Sequence, residues 1–162
     1  MLIHLSDPVA VLVSSLVWLC IGLLTGYVCH SLPVTRFDHD TWLTRLRPFE
    51  ADGRWYARHL HLRRWKDRLP EQGALFRGGF SKRHLAGRSD EHLERFVTET
   101  RRAETVHWMN LSAGPWFLIW CRPLLGVCMI AFGVLAHLPF IVVQRANRGR
   151  LTCLLARRRL RR

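Results

Sequence analysis

The stretch Pro8–Val28 reads PVAVLVSSLVWLCIGLLTGYV and contains no charged residue. About 20 apolar residues in a helix match the roughly 30 Å hydrocarbon core of a bilayer. Ser14, Ser15 and Thr25 fit that reading, because a hydroxyl can hydrogen-bond back to its own helix. A cleaved secretory leader would carry a basic start and a small-residue cleavage site. Residues 1–7 hold no Lys or Arg and the run is long, so a retained anchor is expected. A second apolar region extends from Val106 to Val143 and is broken at Arg122-Pro123, where the chain favours a turn. Leu124–Val143 can span alone, whereas Val106–Cys121 is shorter and holds His107, Asn110 and Ser112. The expected arrangement is a helical hairpin with its tip near Arg122.

Charge orients these runs. The stretch after the first span is basic, and the C-terminus carries Arg145, Arg148, Arg150, Arg157, Arg158, Arg159, Arg161 and Arg162. Lys and Arg collect on the cytoplasmic side. Keeping both stretches there requires an even number of crossings between them, and the hairpin supplies two. Three membrane segments and an external N-terminus follow; two segments is the alternative, since the first hairpin arm is short. The expected fold is an all-α, multi-pass integral protein of the cell membrane. It comprises an N-terminal transmembrane anchor over 1–29, a basic cytoplasmic or interfacial helical segment over 30–104, a membrane hairpin over 105–143 and a basic cytoplasmic tail over 144–162.

Composition narrows the function. A chain of 162 residues has room for one ordinary domain. Its 25 Lys and Arg against 12 Asp and Glu give a net charge of +13, which suits nucleic acid or an anionic membrane. Arginines beside spans are already explained by topology and anionic lipid. No interleaving of aromatic and basic residues resembles a nucleic-acid module, so the bilayer is the expected partner and nucleic acid is not. Cys20, Cys29, Cys121, Cys128 and Cys153 form no CxxC pair and no zinc spacing, and are expected to act as small apolar residues.

Between the apolar runs, Pro33, Pro48 and Gly53 keep helices short. Trp42, Leu43, Leu46 and Phe49, with Arg45 and Arg47, suggest a helical turn or two at the lipid interface, or a small soluble cluster. Leu62–Pro70 packs cations around Trp65, either as a basic helix on lipid or as an anion site. Gly73–Gly79 reads as a loop. From Ser89, a plausible N-cap followed by Asp90 and Glu91, the pattern turns helical. Leu93, Phe96, Val97 and Thr100 follow i, i+3, i+4, i+7 spacing, with no breaker before Gly114-Pro115.

That helix enters the membrane at Glu99-Thr100-Arg101-Arg102-Ala103-Glu104-Thr105-Val106-His107-Trp108. Glu104 and His107 lie one turn apart on one face, with Thr100 and Ala103 beside them, Glu99 at the edge and Asn110 further in. Ionisable residues inside a membrane are costly and mark function. An imidazole can take and return a proton near neutral pH, and a carboxylate can orient it. A helix-stitching His–Glu pair is the alternative. Metal is not expected, since a single Glu-x-x-His is half of the usual helical metal site. At the far end of the second region, Gln144, Arg145, Asn147 and Arg148 emerge at the depth where Glu104 and His107 begin, and arginines there can hold phosphate or an oxyanion. A positive-inside stop signal is the plainer reading of the last arginines.

The chain resembles the glycosyl-4,4'-diaponeurosporenoate acyltransferase family, small membrane acyltransferases of staphyloxanthin-type carotenoid synthesis. The resemblance spans about Arg63 to Leu155. It rests on Arg64-Trp65-Lys66, on Arg83-His84-Leu85, on Glu99-Thr100-x-Arg102-Ala103-Glu104-x-x-His107-Trp108, and on Pro139 followed by Gln144-Arg145-x-Asn147-Arg148-x-Arg150-Leu151. Ala146 stands where an aromatic residue is expected and Gly149 where a proline is common. The resemblance implies acyl transfer from an activated donor, acyl-CoA or an acyl-carrier thioester, to a sugar hydroxyl of a lipid-like glycoside. No bound cofactor is implied, and other enzymes of that pathway are expected neighbours.

Chemistry then assigns expected roles. His107 takes the proton from the attacking hydroxyl, Glu104 orients it, and Arg102, Arg145 or Arg148 holds the oxyanion. Arg64, Trp65, Lys66, Arg83, Glu99, Gln144 and Asn147 are expected to bind substrate, and His84 is both a binding candidate and the alternative base. Two other readings stand beside this one: a non-catalytic membrane scaffold, and a phospholipid acyltransferase. The second lacks its His-x4-Asp motif, because neither His107 nor His84 is followed four residues later by a carboxylate.

Overall fold

A computed structural model of the chain describes residues 5–50, 52–69 and 89–162. The regular elements among them are helical: α1 (Asp7–Ser31), α2 (Arg54–His59), α3 (Asp90–Ser112) and α4 (Pro123–Arg159), with short 3-10 turns between. The loop expected over Gly73–Gly79, together with Arg83 and His84, lies outside the described residues.

Helix α1 starts with Asp7 and Pro8 in its first turn, where an acid meets the helix dipole and a missing N–H costs nothing. It ends where Leu32 N–H bonds to Val28 O at 3.1 Å, just before Pro33. Ser15 donates back to Val11 O at 2.9 Å and Thr25 to Ile21 O at 2.8 Å, as expected of hydroxyls in an apolar helix. Ser14 differs. It is buried, lies 3.4 Å from Cys121 Sγ and accepts from Trp120 Nε1 at 3.0 Å.

Helix α3 begins as the sequence predicts, with His92 N–H bonding to Ser89 Oγ at 3.3 Å. Leu93, Phe96, Val97 and Thr100 are all buried, and the first three join Leu151 and Leu155 of α4 in one core. Helix α4 has 37 residues, about 55 Å at 1.5 Å per residue, and continues through Pro139. The basic stretch after Val143 is therefore helical as far as Arg159.

The chain divides into two compact units, and α3 and α4 contribute to both. The first holds α1, α3 from Thr105 onward, the 3-10 turn Gly114–Ile119 and α4 as far as Pro139. Within it, Asp7 meets Arg122 at 3.4 Å, Trp18 stacks on Phe117 at 4.8 Å, Thr25 Oγ1 lies 2.8 Å from the Asn110 amide, and Cys29 Sγ lies 3.8 Å from Met109 Sδ. The segment 109–122 thus runs antiparallel along α1. It is α-helical only to Ser112; Gly114 and Pro115 then start a 3-10 turn, whose rise of about 2.0 Å per residue lets few residues cover the distance. By length and composition, α1 and α4 can cross a membrane.

The second unit holds Pro33–Glu104 and Phe140–Arg162. The stretch around Trp42 is a tight turn closed by reciprocal bonds, Thr41 N–H to Thr44 Oγ1 at 2.9 Å and Thr44 N–H to Thr41 Oγ1 at 3.2 Å. Leu62–Pro70 contains two 3-10 turns, Leu62–Arg64 and Lys66–Arg68. A second core gathers Tyr56, Leu62 and Ala146, with Trp55, Trp65, Val142 and Val143 against it.

Candidate active site

Arg145 and Arg148 lie three residues apart on α4, hence on one face. In the second unit that face meets Glu104 of α3 and the irregular segment before α2. Arg145 Nη1 donates to Glu104 Oε1 and Arg148 Nη2 to Glu104 Oε2, each at 2.6 Å. Arg145 Nε and Nη2 donate to the two oxygens of Glu50 at 2.9 and 2.6 Å. Its remaining N–H groups reach Leu43 O at 3.2 Å and Arg45 O at 2.8 Å. All five N–H groups of Arg145 are then committed, which leaves none for an oxyanion. Arg148 also donates to Thr44 O, but its Nε and Nη1 are buried without a partner among the described residues.

The cluster is neutral, two guanidinium groups against two carboxylates, and that is what allows it to be buried: Glu104 is 0% exposed and Arg148 1%. Burial by itself pushes the Glu50 carboxyl up. Hydrogen bonds from Arg145, from the Arg47 backbone N–H at 2.6 Å and from the Tyr56 hydroxyl outweigh it and hold Glu50 at about 2. Burial and the adjacent carboxylate raise the Tyr56 hydroxyl above its usual range, so it stays a proton donor. Glu50 and Tyr56 carry no periodic or motif signal. Their only trace in the sequence is the demand of two buried arginines for two carboxylates.

Arg102 pairs with Glu99 at 3.4 Å and lies over the Phe37 ring at 5.5 Å, with its Nε buried and unpartnered among the described residues. Glu99 is shared with Arg95 at 3.1 Å. Gln144 is buried and Asn147 half-buried on α4. Arg64 is exposed, Lys66 half-buried, and Trp65 packs on the second core while its Nε1 donates to Leu60 O at 2.8 Å. Ala146 is fully buried against Tyr56 and Leu62. Those side chains occupy the space that an aromatic residue would need there.

His107 belongs to the first unit. It is buried, and its Nδ1 lies 3.3 Å from Nδ1 of His137 on α4, with ring centroids 5.5 Å apart. His137 in turn faces the Trp18 ring at 5.8 Å. In the sequence His137 is one imidazole in an apolar run, three residues from no acid or hydroxyl that would mark it. No three His, Cys, Asp or Glu side chains among the described residues gather to hold a metal ion. Chemically, the first unit offers a buried imidazole pair able to take a proton, and the second offers buried guanidinium donors for an anionic oxygen.

The profile of the family described as glycosyl-4,4'-diaponeurosporenoate acyltransferase matches residues 39–157. A Staphylococcus aureus protein of that name (strain bovine RF122 / ET3-1) is 30% identical over 142 residues, 87% of this chain and 85% of its own. The protein of the same name from strain N315 is 29% identical over 141 residues, with the same shares covered. No solved structure matches the chain. The match covers all of the Glu50–Glu104–Arg145–Arg148 cluster, and the chain belongs to the glycosyl-4,4'-diaponeurosporenoate acyltransferase family.

Proposed function

We propose that the protein is a membrane acyltransferase that esterifies a sugar hydroxyl of a glycosylated carotenoid or related glycolipid, using a fatty acyl thioester as donor. One observation carries this reading beyond family membership. Glu104, from the Glu99–Trp108 block of resemblance, is joined at 2.6 Å to Arg145 and Arg148 of the Gln144–Leu151 block. A buried ionic cluster of this kind is costly to assemble. It would hold α3, α4 and the segment before α2 rigidly together within the second unit.

In the proposed reaction His107 removes the proton from the sugar hydroxyl as the oxygen attacks the thioester carbonyl. The carbonyl oxygen gains negative charge, and guanidinium N–H groups of Arg102 or Arg148 stabilise it. The tetrahedral intermediate collapses, the C–S bond breaks, and the imidazolium returns its proton to the departing thiolate. Glu104 serves by fixing both arginines. Arg64, Trp65 and Lys66, with Arg83 and His84, bind the polar end of a substrate.

A lipid setting supports the reading. Leu24 of α1 is 62% exposed, and Leu124 and Leu135 of α4 are 79% and 76% exposed. Rows of leucine facing outward along two long apolar helices are suited to acyl chains, not water. Both substrates are amphipathic, so a site at the headgroup layer needs no deep channel. The proposed topology has three crossings, with the N-terminus and the Arg122 turn outside and the basic segments cytoplasmic.

The test is direct. Purified protein in nanodiscs, given acyl-CoA and a glucosylated lipid, should form the ester, and His107→Ala should lower turnover by about 10²–10⁴-fold while the protein stays folded. Full activity of that variant would falsify the assignment of His107. Absence of ester from the wild type, with a stoichiometric partner co-purifying, would establish a scaffold instead.

A further inference from the structure

The mechanism above uses one imidazole, yet the structure holds two. His107 Nδ1 and His137 Nδ1 are 3.3 Å apart, and two ring nitrogens at that separation share one proton. If that proton sits on His107, its Nε2 carries the lone pair and is the basic nitrogen. If it sits on His137, Nε2 of neutral His107 is already protonated and cannot accept. The tautomer of His107 is thus coupled to its neighbour on α4.

Packing holds that neighbour in place. His137 and Gly133 are one turn apart on α4. A Cβ at Gly133 would come within 2.7 Å of Trp18 Cη2 and 2.8 Å of Cζ2, so the glycine makes the notch into which the indole sits. From there the indole reaches the His137 ring at 5.8 Å and stacks on Phe117 at 4.8 Å. A rigid aromatic wall therefore limits the rotation of His137. Trp18 Nε1 is buried without a partner among the described residues, so an acceptor oxygen supplied by a substrate would complete this polar spot.

We infer that His137 is a positioning residue for His107: its Nδ1 accepts the His107 Nδ1–H, fixes the tautomer with a basic Nε2, and shares the charge of the imidazolium. The proposal rests on the acyl-transfer reading for its consequence but not for its geometry. Proton balance is simple. The hydroxyl proton moves to His107 Nε2, the Nδ1 proton stays between the two rings, and the Nε2 proton leaves with the thiolate.

Two measurements on the full-length protein test it. In ¹⁵N-histidine spectra of the protein in micelles, His107 should carry its proton on Nδ1, and His137→Phe should shift it toward Nε2. A wild-type His107 protonated at Nε2, or one unmoved by His137→Phe, overturns the proposal. In the transfer assay His137→Phe should lower kcat by about ten-fold or more with KM within about two-fold. His137→Asn, which can place its Oδ1 where Nδ1 lies, should restore most of that loss. Equal impairment of the two variants, or none in His137→Phe, also overturns it. If the wild type transfers no acyl group, the acyl-transfer reading falls, and the spectra still decide the pairing.

Discussion

Glu104 divides its two oxygens between Arg145 and Arg148, and this division makes it the least replaceable residue of the second unit. Glu104→Gln keeps the shape but leaves two buried guanidinium groups facing a single carboxylate. Removing one partner of a buried pair costs about 3–5 kcal/mol, far more than the pair's net worth. The variant should lose its monodisperse peak in detergent, or melt well below the wild type. Glu50 gives the same cluster a pH signature. Its carboxyl lies at about 2 against an ordinary 4.5, a lowered value, so the stabilisation is present above 4.5 and is lost as the pH falls through about 2. Thermal unfolding in micelles should weaken across that window by at most about 3 kcal/mol. Glu50→Gln, less stable at neutral pH, should flatten the acid limb. An unchanged acid limb would show that Glu50 is not ionised in the cluster.

The elements differ in how plainly the sequence announces them. Helix α3 could be read from Ser89 to Ser112, because a capping serine, two acids and a 3.6-residue apolar period agree with one another. The arm beyond it could be read as apolar but not as 3-10, because hydropathy is blind to hydrogen-bond register. The turn at Thr41–Thr44 was hidden since its bonds are made by side-chain hydroxyls, and it matters because its carbonyls receive the arginines of α4. Glu50 and His137 were illegible for a shared reason: each gains meaning only from a partner distant in sequence. Close helix contacts make a sharper prediction. Gly133→Ala would push a methyl group into the indole of Trp18, whose ring cannot bend away. Overpacking of this sort costs about 1–3 kcal/mol. It should also displace His137, so turnover should fall further than stability does. Ala146→Tyr, which would set an aromatic ring against Tyr56 and Leu62, should be destabilising in this chain unless Tyr56 is made smaller. A stable Ala146→Tyr single variant would show the second core to be looser than its packing indicates.

At the scale of the whole molecule, helix α4 carries both apolar surface and positive charge, which would constrain how the chain sits in a bilayer. Helix α4 is apolar from Pro123 and basic from Arg145 to Arg159, so in the proposed membrane setting its C-terminal end would lie with phosphate headgroups. Asp7 and Arg122 meet at 3.4 Å, which puts the start of α1 and the start of α4 at one end of the first unit. If 109–122 crosses beside α1, residue 122 is external and residue 162 cytoplasmic. If the orientation is inverted, residue 122 is cytoplasmic and α4 carries its arginines outside, against the charge rule. The two cases are separable in a background free of native cysteines. Arg122→Cys loses only an exposed ion pair of small value, and Arg162→Cys lies at the exposed C-terminus. On intact cells a membrane-impermeant maleimide should label Arg122→Cys at once and reach Arg162→Cys only after permeabilisation. The reverse pattern would mean that all three crossings are inverted. It would also place the Glu104–Arg145–Arg148 cluster on a side of the membrane where cytoplasmic acyl-CoA is not found, and the donor would then have to be an acyl group already present in an external lipid.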